Sequence, residues 1–562
     1  MSADIVFEAG HRPRRPALSP REVSVISLTA AILVLVPWTW GGVVLWTVLL
    51  LLGLAVAAMV AAVGNHRAQC VALGGWAVAF GLAWMNLPNP AAGFGNAANL
   101  DRLAFPLGAF VGQCLPALLL YGDVRSRPAG ECLRAWTRSV PFWVVIALFA
   151  YCTVQALNPW GTVIEKDLFW RIFREKPVAW LPSGLSAPMV SDENDPGGMN
   201  AWRQMLTLLG PWLVFGALRA GLRRRRGLVI LAWVSVLVAA GYAVFGFLNQ
   251  RAYTEAILGY PVPVGATTFG TFINRNHAGI YFYLNAALAL ALTFWHLRHS
   301  PRSAARGGPY LVAAFVAVFL GLFVFFTTSI GASLLALALL LIVTPAAFFL
   351  GMPKDGHARR EVFWFAAAGL LVVSLAFAFA GDFRSLERKI QLKAAAYQRS
   401  GSDDRAPLRR ATWAMATAGG WSGKVWTGWG AGSYRWVSPV FQADEKQLQD
   451  AKGKLAIRAT YAHCDWLQML AEWGVIGLLP VLVGLWWLGG WIRRAHYRGH
   501  PEAIPLAGVL VLVGLHASAD LIFWFTPLLY ALALIVAAMV TFTEHDLRAQ
   551  PTFGSEDGER PA

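Results

Sequence analysis

Leu228-Val-Ile-Leu-Ala-Trp-Val-Ser-Val-Leu-Val-Ala-Ala-Gly-Tyr-Ala-Val-Phe-Gly-Phe-Leu248 contains no charged side chain, and its only hydroxyls are those of Ser235 and Tyr242. About 20 apolar residues in a helix cross the hydrocarbon core of a bilayer. The run is preceded by four arginines, Arg223 to Arg226, which belong in water or among headgroups. Similar runs recur outward in both directions, for example 310–327 and 362–380. In lipid each backbone N–H and C=O must be satisfied within its own segment, so a series of such runs means a helical bundle. The length rule gives about 14 candidate helices. They lie near 23–37, 41–62, 70–88, 104–121, 141–158, 204–220, 228–248, 277–295, 310–327, 330–350, 362–380, 474–492, 505–520 and 523–542. The expected fold class is an all-α polytopic membrane bundle.

Composition excludes a soluble globular chain. Of 562 residues 57% are hydrophobic and only 14% charged, with mean hydropathy +0.51, whereas soluble domains carry about a quarter charged residues. The net charge of +16 sits in short clusters between apolar runs, so it reads as a topology signal and not as a nucleic-acid surface. The five cysteines, Cys70, Cys114, Cys132, Cys152 and Cys464, are odd in number and fit no zinc spacing, so neither a disulfide framework nor a metal site is expected.

Arg67; Arg125 to Arg138; Arg219 with Arg223 to Arg226; Arg298 to Arg306; Lys354 to Arg360; and Arg493 to Arg498 fall between alternate helices. The positive-inside bias makes that side the cytoplasm and puts both termini there. The expected organisation is a cytoplasmic arm 1–22 with no cleaved signal peptide, transmembrane helices over 23–240 with an outer loop 159–203, a second membrane region over 241–543 with a large outer loop 381–473, and a disordered tail 544–562. Residues 381–465 hold 14 Lys+Arg and 8 Asp+Glu, a balance of 14 − 8 = +6. Two readings stand: an anionic substrate, or a solvated loop near anionic headgroups. Within it 383–397 has the spacing of an interfacial amphipathic helix. The cluster Asp192-Glu-Asn-Asp195 lacks calcium-loop spacing and reads as a solvated loop.

Two predicted helix starts face outward. The first is Thr271-Phe-Ile-Asn-Arg-Asn-His277, where Asn274 or Asn276 is a candidate N-cap. The free N–H groups of a first turn suit a phosphate, and Arg275 adds a cation able to grip it with two parallel hydrogen bonds. The second is Tyr461-Ala-His463 before Asp465, with Gln468 three places on as a capping-box partner and Glu472 on the same helix face as Asp465. An imidazole there can exchange a proton near neutral pH. His516 and Asp520 are four apart in a predicted helix, and read either as a functional ionisable pair or as a polar link between helices.

These residues resemble the bacterial O-antigen ligase and polysaccharide polymerase superfamily. Its hallmark is His, a polar residue, nine residues, then Gly-x-x-Gly. Here it reads His463, Cys464, nine residues, Gly474-Val-Ile-Gly477, with Cys464 departing from the polar type. Phe272 to Gly279, Arg409-Arg410-Ala-Thr-Trp413 followed by Thr427 to Ser433, and His516-Ala-Ser-Ala-Asp520 are similar to further family features. The resemblance implies a GT-C-like membrane glycosyltransferase without metal or other cofactor. Its donor is a glycan on undecaprenyl pyrophosphate, and its acceptor is a sugar hydroxyl on lipid A–core or on a growing chain. The reaction takes place at the periplasmic face of the inner membrane, in contact with membrane lipids. It implies His463 as catalytic base, with Arg275, Arg409, Arg410, Asn274, Asn276 and His277 around the pyrophosphate, and with Asp465, Glu472, His516 and Asp520 in support. Transfer of glycan to protein hydroxyls is an alternative in the same family. Transport of a small solute such as inorganic carbon is one of another class, although the paired broken helices of transporters are not evident. A structural scaffold is the third.

Overall fold

The computed structural model describes residues 18–39, 45–63, 134, 136–166, 169–188, 200–222, 224–252, 256–257, 260–261, 268–299, 308–351, 388, 391, 405–420, 423–450, 452–455, 458–497 and 500–544. The expected helices 70–88, 104–121 and 362–380 and the cluster 192–195 lie outside them, as does 383–397 except for Arg388 and Gln391.

The chain is a helical membrane protein. Among the described residues eight helices are long and apolar enough to cross a bilayer, and the apolar segments Thr47–Ala62 and Ile504–His516 are shorter. The α-helices among the described residues are, in order, α1 (Pro20–Leu35), α2 (Leu45–Val63), α3 (Val140–Leu157), α4 (Ala201–Gly221), α5 (Arg225–Arg251), α6 (Arg275–His299), α7 (Pro309–Phe323), α8 (Ile330–Ala338) and α9 (Thr344–Gly351), then α10 (Ala406–Ala416), α11 (Tyr434–Gln442), α12 (Asp465–Tyr497), α13 (Ile504–His516) and α14 (Thr526–Glu544). A π-helical turn, Leu339–Val343, joins α8 to α9.

A helix that is apolar all round belongs in the interior. In α6 everything from His277 to Phe294 is buried, and the spans of α6 and α14 are each 94% buried, against 17% for α3 and 6% for α12. So among the described residues α6 and α14 form the centre, and α3 and α12 are the least covered spans. Small residues let neighbours close on α6, as in membrane helix packing generally: a Cβ on Gly279 would stand 2.8 Å from the Ala332 methyl. A buried polar link between α5 and α6 is satisfied at both ends, Ser235 Oγ donating to Asn285 Oδ1 at 2.6 Å and Asn285 Nδ2 to Tyr281 O at 2.9 Å.

The two ends of the bundle differ chemically. At one, Arg219 bonds Glu544 at 2.7 Å, Arg225 donates to Phe542 O at 3.1 Å, and Arg298 reaches His500 and Glu502 at 2.9 and 3.4 Å. These are arginines that the loop-charge reading puts on a common side. The opposite end carries Asn276, His463 and Asp520.

At that opposite end the segment 159–203, expected as a loop, builds a small sheet. Strands β1 (Pro159–Lys166) and β2 (Phe169–Arg174) are antiparallel, and β3 (Gly184–Ser186) runs parallel to β1, in the order β2-β1-β3. The cause is local: Thr162-Val-Ile and Phe169-Trp-Arg-Ile-Phe are β-branched and aromatic, types that favour a pleated, half-buried surface. Val163 and Leu185 cover a small outer core with Met415, Tyr434 and Trp436. Trp170 sets its edge against Trp436, with ring centroids 5.8 Å apart.

Candidate functional site

The site grows from two helix starts, as expected, but their fixings differ from the sequence reading. Ahead of α6 the turn Phe269-Gly-Thr-Phe272 closes on itself by paired backbone bonds of 3.0 and 3.1 Å. The Tyr242 hydroxyl on α5 accepts from the Thr271 N–H at 2.7 Å. Gly270 sits at φ 55, where a Cβ would strike that hydroxyl. With the turn pinned, Asn274 Oδ1 accepts from the Asn276 N–H at 2.9 Å, so Asn274 caps α6 and the Asn276 side chain is left for another task.

That task is Asp520, in the turn between α13 and α14. Its Oδ2 accepts from Asn276 Nδ2 at 2.7 Å and faces Arg405 Nη1 at 3.2 Å, while its Oδ1 lies 3.3 Å from His463 Nδ1 and accepts its neighbour Leu521 N–H at 3.0 Å. Four separate stretches of chain therefore meet on one carboxylate. Burial by itself would push the Asp520 carboxyl up; the His463 hydrogen bond and the Arg405 guanidinium outweigh it and hold the group well below the usual carboxylate range. An ionised carboxylate only accepts, so His463 Nδ1 bears the hydrogen, and in the neutral imidazole Nε2 carries the lone pair. Nε2 makes no hydrogen bond among the described residues, and the side chain is 27% exposed. His463 is also held at φ 50, a left-handed conformation that costs a non-glycine residue roughly 1–3 kcal/mol and clusters at functional positions.

Asp465 is not the cap of α12 that the sequence suggested. Its Oδ2 accepts the Ile522 and Phe523 N–H groups at 2.8 and 3.3 Å, and its own N–H donates to Ala517 O at 2.8 Å. It fastens the turn that carries Asp520 to the helix that follows His463. Gln468 does reach back, its Oε1 accepting from the Ala462 N–H at 3.0 Å. Cys464 is a free, buried thiol, raised by burial and drawn back in part by the charge of nearby Arg409.

Arg405 and Arg409 lie one helical turn apart, on the same face of α10. Arg410 turns away, binding Glu445 through Nη2 at 2.7 Å and Nε at 3.2 Å on the surface. Arg275 is half-buried and among the described residues makes no hydrogen bond or ion pair. His277 is buried with its ring 3.6 Å, centroid to centroid, from Phe525, and among the described residues its Nε2 has no hydrogen-bond partner. His516 lies across from Tyr283, Nδ1 to hydroxyl 3.2 Å, so its side chain meets α6, while its carbonyl accepts from the Asp520 N–H at 2.9 Å. Sequence reasoning missed Arg405 altogether: it precedes α10 in a polar stretch with no motif, and its partner is more than a hundred residues away.

Glu472 serves the frame around the site. Fully buried, it accepts from Gln204 Nε2 at 2.6 Å, Gly432 N–H at 3.1 Å, Tyr434 N–H at 3.1 Å and Gln468 Nε2 at 3.3 Å. In the glycine-rich turn that it holds, close backbone approaches account for the glycines. A Cβ on Gly428 would meet Glu472 O at 2.2 Å, and one on Gly430 would meet Gly184 Cα at 2.4 Å. The Gly474-Val-Ile-Gly477 pair has a similar geometric cause. Gly474 breaks α12 at φ 65, which brings its backbone so near residues 426–428 that a Cβ would stand 2.4 Å from Trp426 O. Gly477 makes room for the Tyr151 ring, whose hydroxyl is 2.8 Å from both Thr427 O and Trp473 O. Lys424 completes this frame. It donates to Ser183 Oγ at 2.9 Å and lies over Trp160 and Trp429, and burial pulls its ammonium down to about 8.

Among the described residues no group of three or more His, Cys, Asp or Glu could hold a metal ion. No curated protein matches the chain. The family model described as O-antigen ligase matches residues 314–482. His463, the Gly474 to Gly477 pair, Arg405 and Arg409 all lie inside that match, so this stretch of the chain is similar to the O-antigen ligase family.

Proposed function

We propose that this protein transfers a glycan from undecaprenyl pyrophosphate to a hydroxyl of a second glycan, at the membrane face where His463 lies, which the loop charges assign to the periplasm. The observation that carries the reading is the His463–Asp520 pair, 3.3 Å apart, with Arg405, Arg409 and Arg275 grouped around the same helix ends. His463 Nε2 takes the proton of the acceptor hydroxyl. The oxygen then attacks the anomeric carbon as its bond to the pyrophosphate oxygen breaks, with inversion. Asp520 stabilises the imidazolium that forms, and the proton leaves afterwards to solvent or to the released pyrophosphate. A positioned general base contributes about 10²–10⁴-fold. Arg275 and Arg409 face the charge that develops on the leaving pyrophosphate, where fixed cations act most strongly. Arg410, occupied by Glu445, has no part in this.

The test is transfer by purified protein in lipid, with a polyprenyl-pyrophosphate glycan and candidate acceptors. His463→Ala should bind donor and transfer nothing, and normal product from that variant ends the assignment. In cells, loss of long chains from lipid A–core marks a ligase, and a single repeat on the core marks a polymerase. Unchanged glycan with altered solute uptake would replace the reading by transport.

A further inference from the structure

The α3 span has 18 residues, about 27 Å of helix at 1.5 Å per residue. A hydrocarbon core is about 30 Å thick. Such a helix has no length to spare, so both of its ends must sit at the two headgroup layers. Near its start Trp143 is 60% exposed, and at its end Leu157 is 72% exposed.

Asn158 follows that end directly and ties a distant segment to it. Its Nδ2 is 3.2 Å from Val178 O, 3.3 Å from Leu181 O and 3.2 Å from Pro182 O, and its Oδ1 accepts the Val178 N–H at 2.8 Å. The depth of residues 178–182 is thereby fixed to the depth of the helix end. On this strap Trp180 is 81% exposed and Val178 47%. The strand register brings in the rest. Arg174 pairs with Gly161, three residues beyond Asn158, so at most about 10 Å along the strand and about 5 Å across it separate Arg174 from the helix end. Phe173, Arg174 and Lys176 are all exposed.

We propose that Phe173 to Trp180 is a lipid-anchoring strap. Trp180 and Val178 enter the headgroup layer on the His463 side, and Arg174 and Lys176 bind the phosphates of anionic phospholipids. Indole at the interface and cations at phosphate level are the chemistry that a bilayer surface takes. The strap leads through Ser183 to Lys424 and the glycine-rich turn beside Glu472, so it fixes the height of the site frame above the lipid. This inference rests on the membrane spans and not on the proposed reaction.

The experiment places a photoreactive benzoylphenylalanine at position 180, and in a separate sample at exposed Lys452, in the full chain. The protein is reconstituted in nanodiscs of phosphatidylglycerol and phosphatidylethanolamine. Phospholipid adducts should form at 180 at least about tenfold above 452, with phosphatidylglycerol over-represented. Equal yields, no phospholipid adduct, or adducts only to polypeptide or to an added phosphorylated glycolipid overturn the proposal. The double substitution Arg174→Glu, Lys176→Glu should reduce the preference for phosphatidylglycerol about fivefold or more. An unchanged preference in a monodisperse variant removes the phosphate part of the proposal.

Discussion

Asn276, next in the chain to Arg275, donates its side-chain amide to Asp520 Oδ2 at 2.7 Å, so the helix start that carries Arg275 is tied to the carboxylate beside His463.

Asp520→Asn keeps the shape of this hub and removes its charge. The amide can present N–H to His463 Nδ1, which favours the opposite tautomer and takes the lone pair from Nε2. Turnover should fall about 10²–10⁴-fold with donor affinity changed only a few-fold, measured by single-turnover transfer beside donor binding. Turnover near wild type would make Asp520 a structural link only. Asn276→Ala should cost less, since Arg405 and the Leu521 N–H remain on the carboxylate.

The same carboxylate gives a pH signature. Its folded value lies below the usual range, so the stability it contributes is present above the unfolded value of about 3.9 and is lost as pH falls toward the folded one. The difference in thermal midpoint between wild type and Asp520→Asn should stay level from neutral pH to about 4 and shrink below it. A gap that widens with acid contradicts the assignment.

Lys424 works in the other direction. Burial lowers it to about 8, so between about 8 and the ordinary lysine value near 10.4 the unfolded chain binds more protons than the folded one. Stability then rises with pH across that window. Wild type should gain on Lys424→Met between pH 8 and 10, read by thermal unfolding in detergent, and parallel curves would deny the shift.

Glu472→Ala strands the Gly432 and Tyr434 N–H groups and two glutamine amides in a closed interior. Each buried group left unpaired costs about 1–3 kcal/mol, so a loss of several kcal/mol is expected. Glu472→Gln, which retains acceptor oxygen, should lose less. Equal losses would mean that packing, not hydrogen bonding, dominates there.

Gly474→Ala meets Trp426 O at 2.4 Å in a left-handed conformation, whereas Gly489 of the same helix has nothing within 4 Å. The first substitution should abolish transfer and lower the thermal midpoint. The second should leave both unchanged or raise the midpoint slightly, by helix propensity of about 1 kcal/mol at most.

Spans such as α5 and α6 were legible because hydropathy over a bilayer length is a strong local signal, and His463 was legible through its spacing to Gly474 and Gly477. What escaped was assembly. Arg405 has no local mark, and its role exists only because α10 is laid against the turn at Asp520. Asp465 looked like a cap because a capping box is a local pattern, yet its carboxylate is taken by N–H groups 57 residues on. The outer sheet did have a signal, the aromatic and β-branched residues of Phe169-Trp-Arg-Ile-Phe, but strands of eight, six and three residues are easily overlooked among much longer helical runs.

The hub at Asp520 draws its ligands from both sides of residues 314–482: His463 and Arg405 from within, Asn276 from before and the carboxylate itself from after. Exchanging that stretch alone with the matching stretch of another protein would thus import an imidazole without its own counter-charge. Specificity chimeras have a better prospect when the crossover points lie ahead of Phe269 and beyond Phe525, so that the whole circuit travels as one inheritance.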